Sequence, residues 1–202
     1  MPPHTRLFES PSQTAGPYVH IGCTPAHCGI RRDRPDFGRS MISGPVEGQQ
    51  ITISGVLYDG TSAPIPDAMI EIWQADAAGR FPGHDPRGQA APNFTGWGRA
   101  PSDPQTGAYR FTTVKPGRVP WPDGTLQAPH VSVWLVARGI NVGLQTRFYF
   151  DDEPDANAED PILKAINDGT RIPSLLAHRT AEGQYRFDIY LQGPQETVFF
   201  DI

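Results

Sequence analysis

From Gln50 onward, apolar and polar positions alternate: Ile51, Ile53, Gly55 and Leu57 fall on one side, and Thr52, Ser54 and Val56 on the other, until Asp59-Gly60 supplies a turn. A period of two is the mark of a strand, because successive side chains leave opposite faces of a pleated backbone. The alternation returns in Ala68, Ile70 and Ile72 against Met69, Glu71 and Trp73. It returns again in Tyr109, Phe111 and Thr113 against Arg110 and Thr112, where Lys115-Pro116-Gly117 stops it. A strand over 130–137 sets His130, Ser132, Trp134 and Val136 on one face, and Val131, Val133, Leu135 and Ala137 on the other. Runs at 144–150, 185–191 and 197–200 bring the number of strands to about seven, a count and turn spacing that suit a β-sandwich.

Helical period is scarce. Asp160-Pro161 opens one short helix over 160–166, with Asp160 able to cap free amides and Pro161 suited to the first turn. The stretch from Ile172 to Leu176 allows at most another turn. Residues 77–107 carry Gly, Pro, Asp and Asn densely enough to read as one long surface loop. Residues 1–49 lack any sustained period and read as an extended N-terminal arm with ordered turns. The expected fold class is therefore all-β: a β-sandwich with long loops, an extended N-terminal arm and one or two short helices. At 202 residues it is expected to form a single domain over 1–202.

Composition narrows the function. The 21 glycines and 22 prolines fit many loops between strands rather than a helical bundle. A formal net charge of -5 offers no basic field for phosphates, so nucleic acid is not an expected partner. Neither a membrane-spanning apolar run nor a signal-like start is found, and a cytoplasmic protein is expected. His20, Cys23, His27 and Cys28 are four zinc-competent donors within nine positions, but their spacing matches no closed zinc pattern and they read as loop residues. Asp151-Asp152-Glu153 resembles a cation cluster in composition, although three successive acids mark a solvated turn more often. Trp73, Trp97, Trp121 and Trp134 are expected to be core or interface aromatics.

Particular strings go further. Thr14-Ala15-Gly16-Pro17-Tyr18, Glu71-Ile72-Trp73-Gln74-Ala75-Asp76, Pro92-Asn93-Phe94, Lys115-Pro116-Gly117, Ala128-Pro129-His130 and Phe148-Tyr149-Phe150-Asp151-Asp152 occur in this order. With them the chain resembles the protocatechuate 3,4-dioxygenases, a family of intradiol aromatic-ring dioxygenases. Within that family it is most similar to the α chains, through 11–22, Ala137-Arg138-Gly139-Ile140-Asn141 and Glu196-Thr197-Val198-Phe199-Phe200-Asp201. The resemblance implies a hetero-oligomer in which a homologous β subunit holds Fe(III) with two tyrosines and two histidines. Anionic phenolates suit a hard Lewis acid, and two histidines two apart on a strand face the same metal. The implied reaction opens 3,4-dihydroxybenzoate with O2 between its hydroxyls, giving 3-carboxy-cis,cis-muconate.

This chain departs from the ligand pattern. His130 matches the first histidine, but Ser132 stands at the second, Val119 at one tyrosine and Pro86 or a nearby gap at the other. A pseudo-site with no metal of its own is therefore expected, and no residue of this chain is expected to be catalytic. The resemblance implies instead that Thr14, Gly16, Pro17, Tyr18 and Arg138 bind substrate beside the β subunit's iron. A Gly-Pro pair permits close, rigid backbone approach to a flat ring, and a guanidinium suits a carboxylate. A tight turn with an anchoring tyrosine, and a solvated cation at a strand end, remain the plainer alternatives. A non-catalytic ligand-binding or assembly sandwich is the competing function.

Overall fold

The computed structural model describes residues 14–33, 37–83 and 85–201. The very start of the chain and residues 11–13 of the arm motif lie outside them. Among the described residues nine strands are formed: β1 (Gln50–Tyr58), β2 (Met69–Trp73), β3 (Trp97–Pro101), β4 (Ala108–Val114), β5 (His130–Val136), β6 (Leu144–Phe150), β7 (Leu176–Ala181), β8 (Gln184–Arg186) and β9 (Ile189–Tyr190). They hydrogen-bond in the order β3-β2-β5-β6-β7-β8-β1-β4, with β9 added to β1. The β6–β7 joint is a parallel pairing of only Tyr149 with Leu176 and Phe150 with Ala177, so the path folds there into two layers.

Burial follows the alternation. Ile51, Ile53, Leu57 and Phe111 from one layer meet Ile70, Ile72, Val131, Val133, Leu135 and Phe148 from the other in one apolar core. Each such side chain contributes roughly 1.5–3 kcal/mol on leaving water, which makes the two-layer packing the main source of stability. Phe148 lies 4.7 Å from Phe187 across the layers. Gly55 sits mid-strand because a Cβ there would collide with the Phe187 carbonyl.

The short helices are α1 (Pro17–Cys23), α2 (Pro154–Glu159) and α3 (Pro161–Ala165), with 3-10 turns at Pro25–Cys28 and Gly169–Leu175. As expected, Asp160 caps α3, accepting from the amides of Ile162 and Leu163. No helix among the described residues is long and apolar enough to cross a membrane.

Four local expectations are corrected. The long loop contains β3, whose Gly98 and Arg99 give no strand signal but which pairs along its length with β2. The arm is not extended throughout, because Pro17 starts a helix that the unsatisfied amides of a first turn tolerate. Leu176–Ala181 is a strand, completed only by its partners β6 and β8. Residues 197–200 do not form a strand, although Thr197 and Phe200 donate backbone bonds to Tyr190 and Gln145.

Candidate functional site

The arm and Arg138, far apart in sequence, meet on one face. Thr14 Oγ1 accepts from the Gly139 amide at 2.7 Å, and His20 Nε2 donates to the Asp67 carbonyl at 2.9 Å. Arg138 Nε pairs with Asp67 Oδ2 at 2.9 Å, while its side chain stays 75% exposed. Gly139, with φ of +90°, provides the left-handed turn that ends this edge. Together Ala15, Gly16, His20, Asp67 and Arg138 help line an open cavity of about 630 Å³. Gly16 is the N-cap of α1 and Pro17 its first residue. Tyr18 projects from that helix 86% exposed, an unusual cost for an aromatic ring.

A second feature occupies the outer face of the β2–β5–β6 layer. His130 is buried, and its Nδ1 donates to the Ala128 carbonyl at 2.8 Å. Burial first, and the positive Arg147 second, hold its pKa down at about 4. Tyr149 lies across the strand pair with its ring 5.9 Å away, and its hydroxyl donates to Asp160 Oδ1 at 3.1 Å. Burial keeps this phenol protonated by pushing its pKa up. Val119 is buried, and its carbonyl accepts from the Gln127 amide. Ser132 lines a cavity of about 410 Å³ to which Trp73, Trp97, Trp121 and Trp134 also contribute. None of these tryptophans belongs to the apolar core, contrary to one of the two expectations for them. Pro86 is exposed in the loop before β3 and does not line this cavity.

Residues 33–193 match a family model described as Dioxygenase. The protocatechuate 3,4-dioxygenase alpha chain of Pseudomonas putida is 42% identical over 202 residues, covering 96% of this chain and 97% of that one. The chain is a member of the intradiol ring-cleavage dioxygenase family. Another relative, the protocatechuate 3,4-dioxygenase beta chain of Burkholderia cepacia, is 33% identical over 168 residues, 78% of this chain and 71% of that one. Among solved structures, the dioxygenase domain of a carbohydrate-binding fusion from Streptomyces sp. SirexAA-E superposes with a TM-score of 0.56 at 22% identity, covering 94% of this chain and all of that one. That likeness agrees with the sandwich.

Intradiol dioxygenases depend on iron, which makes the four positions expected from the resemblance to match iron ligands the test of this chain. They present one imidazole, one hydroxyl and two apolar side chains: His130, Ser132, Val119 and Pro86. Tyr149, across from His130, has its hydroxyl engaged with Asp160 Oδ1. This donor set does not fit a ferric ion, which needs anionic oxygens. Among the described residues no group of three or more His, Cys, Asp or Glu side chains could hold a metal ion. His20 instead bonds Thr24 and Asp67, and its ring lies 5.3 Å from that of His27. The acidic run is an ion-pair junction rather than a free solvated turn: Lys115 Nζ meets Asp152 at 3.0 Å and Glu153 at 2.6 Å. Asp151 accepts from the Arg179 amide.

Two participants escape sequence reading. Asp67 positions Arg138, and only its place just before β2 hinted at any role. Asp160 does more than cap: its Oδ2 accepts from the Ala128 amide at 2.8 Å, tying α3 to the start of β5. The Asp-Pro signal revealed the cap but not this long-range bond.

Proposed function

We propose that this intradiol-family chain is the iron-free α subunit of a protocatechuate 3,4-dioxygenase. In this reading a homologous β subunit carries Fe(III), and the pair opens 3,4-dihydroxybenzoate with O2 to 3-carboxy-cis,cis-muconate. The observation that carries it is the convergence of the arm and Arg138 on one open cavity. Full-length similarity to a named alpha chain, and a weaker one to a named beta chain, supports the pairing.

The division of labour follows from the residues. Ring opening is assigned to the partner's ferric site. This chain's exposed Tyr18 and the Gly16-Pro17 turn would close over the flat ring and exclude water, gaining the cover that Tyr18 lacks in the isolated chain. Arg138, held by Asp67 at the cavity edge, would take the substrate carboxylate, and Thr14 would fix the arm through Gly139.

Purifying the chain alone and with its co-expressed partner tests this. The pair is expected to carry one iron per αβ unit, to show a phenolate-to-iron colour and to consume 3,4-dihydroxybenzoate. The chain alone is expected to be colourless. Stoichiometric iron and the colour in the isolated chain would overturn the iron-free assignment. A stable pair that opens the ring at the same rate after deletion of residues 1–18 would overturn the role of the arm.

A further inference from the structure

The outward face of the β2–β5–β6 layer does not look like a solvated sheet surface. Strand register sets Trp97, Trp73, Ser132 and Arg147 in one row across β3, β2, β5 and β6. The next row is Arg99, Glu71, Trp134 and Gln145. Trp121 and Phe200 complete the walls of the resulting cavity of about 410 Å³, a size suited to a small ligand. It is separate from the cavity beside the arm, with which it shares no lining residue.

Its charges are not balanced. Glu71 is neutralised by Arg99, whose Nη2 and Nε lie 2.6 and 2.7 Å from Oε1. Arg147 forms no ion pair among the described residues: its Nη1 donates to the neutral Gln127 Oε1 at 3.0 Å, and its guanidinium lies 5.9 Å from the Phe200 ring. Asp160, the carboxylate behind it, already accepts from Ile162, Leu163, Ala128 and the Tyr149 hydroxyl. One cation is thus left at the rim of an indole-walled pocket, with a hydroxyl beside it at Ser132.

We propose that this pocket is a second, non-catalytic site for a small monocyclic aromatic carboxylate, with the ring against the tryptophans and the carboxylate on Arg147. Indole faces favour a planar ring, and a half-buried guanidinium favours a planar carboxylate over a neutral group. The site requires the carboxylate but no pair of adjacent hydroxyls, since the chain offers no metal there to chelate. Catechol is therefore a poor ligand for it.

The site is independent of the iron chemistry, although the test is best made on the αβ complex of the proposed function. The probe is 4-fluorobenzoate, observed by 19F NMR. Probe at a ferric site is broadened and shifted by the paramagnetic iron, whereas probe in this pocket gives a sharp bound resonance. Both populations are expected. Arg147→Gln should weaken the sharp population at least tenfold, and Ser132→Trp, which fills the pocket, should abolish it, while the broadened population and the iron content persist. Loss of the broadened population alone would count against the iron-bearing partner and leave this site standing. The proposal is overturned if the broadened population appears without the sharp one at millimolar probe, as would happen if the partner covers the pocket. It is equally overturned if the sharp population survives both substitutions in complexes that retain iron.

Discussion

Replacing Arg138 by alanine isolates the charge that this chain is proposed to bring to the substrate. In the free chain the guanidinium is paired with Asp67 at 2.9 Å but is 75% exposed. An ion pair so open to water contributes about 0–1 kcal/mol, so its loss should leave the fold and the iron of the complex untouched. A carboxylate held on the same guanidinium, under the arm and away from bulk water, forms charge-assisted hydrogen bonds worth roughly 1.5–3 kcal/mol. Drawing Arg138 away from Asp67 offsets part of that gain. The expected net loss is about 1–2.5 kcal/mol in kcat/KM for 3,4-dihydroxybenzoate, or roughly five- to seventyfold. Catechol has the same hydroxyls and no carboxylate, so its kcat/KM should change by less than about twofold on the same reasoning. Oxygen-uptake kinetics on αβ complexes of matched iron content provide the comparison. Equal losses for the two substrates would indicate damage to the interface rather than to recognition. Unchanged constants for both would remove Arg138 from the site.

Other perturbations test the scaffold around His130 and the acidic run. Asp160→Ala leaves four donors without this acceptor, three of them buried, and should cost roughly 3–5 kcal/mol, read as a lower urea midpoint at unchanged slope; an unaltered midpoint would refute the hub. Burial, reinforced by Arg147, holds His130 at a pKa of about 4, against about 6.5 in the unfolded chain. Between those values the unfolded state takes up a proton that the folded state refuses, so stability should fall by roughly 2–4 kcal/mol as pH drops from about 6.5 to 4, and no further from this group below that. His130→Gln should flatten that slope, and a His130 imidazole signal titrating near pH 6.5 in the folded chain would contradict it. Burial opposes ionisation of Asp152, but hydrogen bonds from Lys115 and Tyr185 outweigh it and hold the carboxyl below its usual range. Its contribution is therefore present above about pH 4 and lost as pH falls through the lower folded value, and Lys115→Met should reduce that acid-side loss in denaturation curves.

Local pattern was enough for much of this protein. Alternation is a one-dimensional code for a half-buried strand: β1 follows it throughout, and β2, β4, β5 and β6 follow it except where Met69, Val114, His130 and Tyr149 are covered as well. The cap at Asp160 was legible for the same reason, since donor and acceptor lie within three residues. The expectation of an iron-free pseudo-site is also local in origin, because Val119 and Ser132 cannot do the chemistry of a tyrosine or a histidine whatever the fold. Elements without an internal period needed partners to exist: β3 forms against β2, and β7 only where β6 and β8 flank it. Contacts between distant positions were decided by packing alone. The arm reaches Gly139 from 125 residues away, and Asp160 reaches Ala128 across 32. The four tryptophans show the limit most clearly: composition marks them as large apolar groups, but strand register sets Trp73, Trp97 and Trp134 around an outer cavity beside Arg147, where Trp121 joins them from the loop before β5. Which side of a layer a residue faces is written in its neighbours, whereas what lies across from it depends on how the layers and their crossovers close.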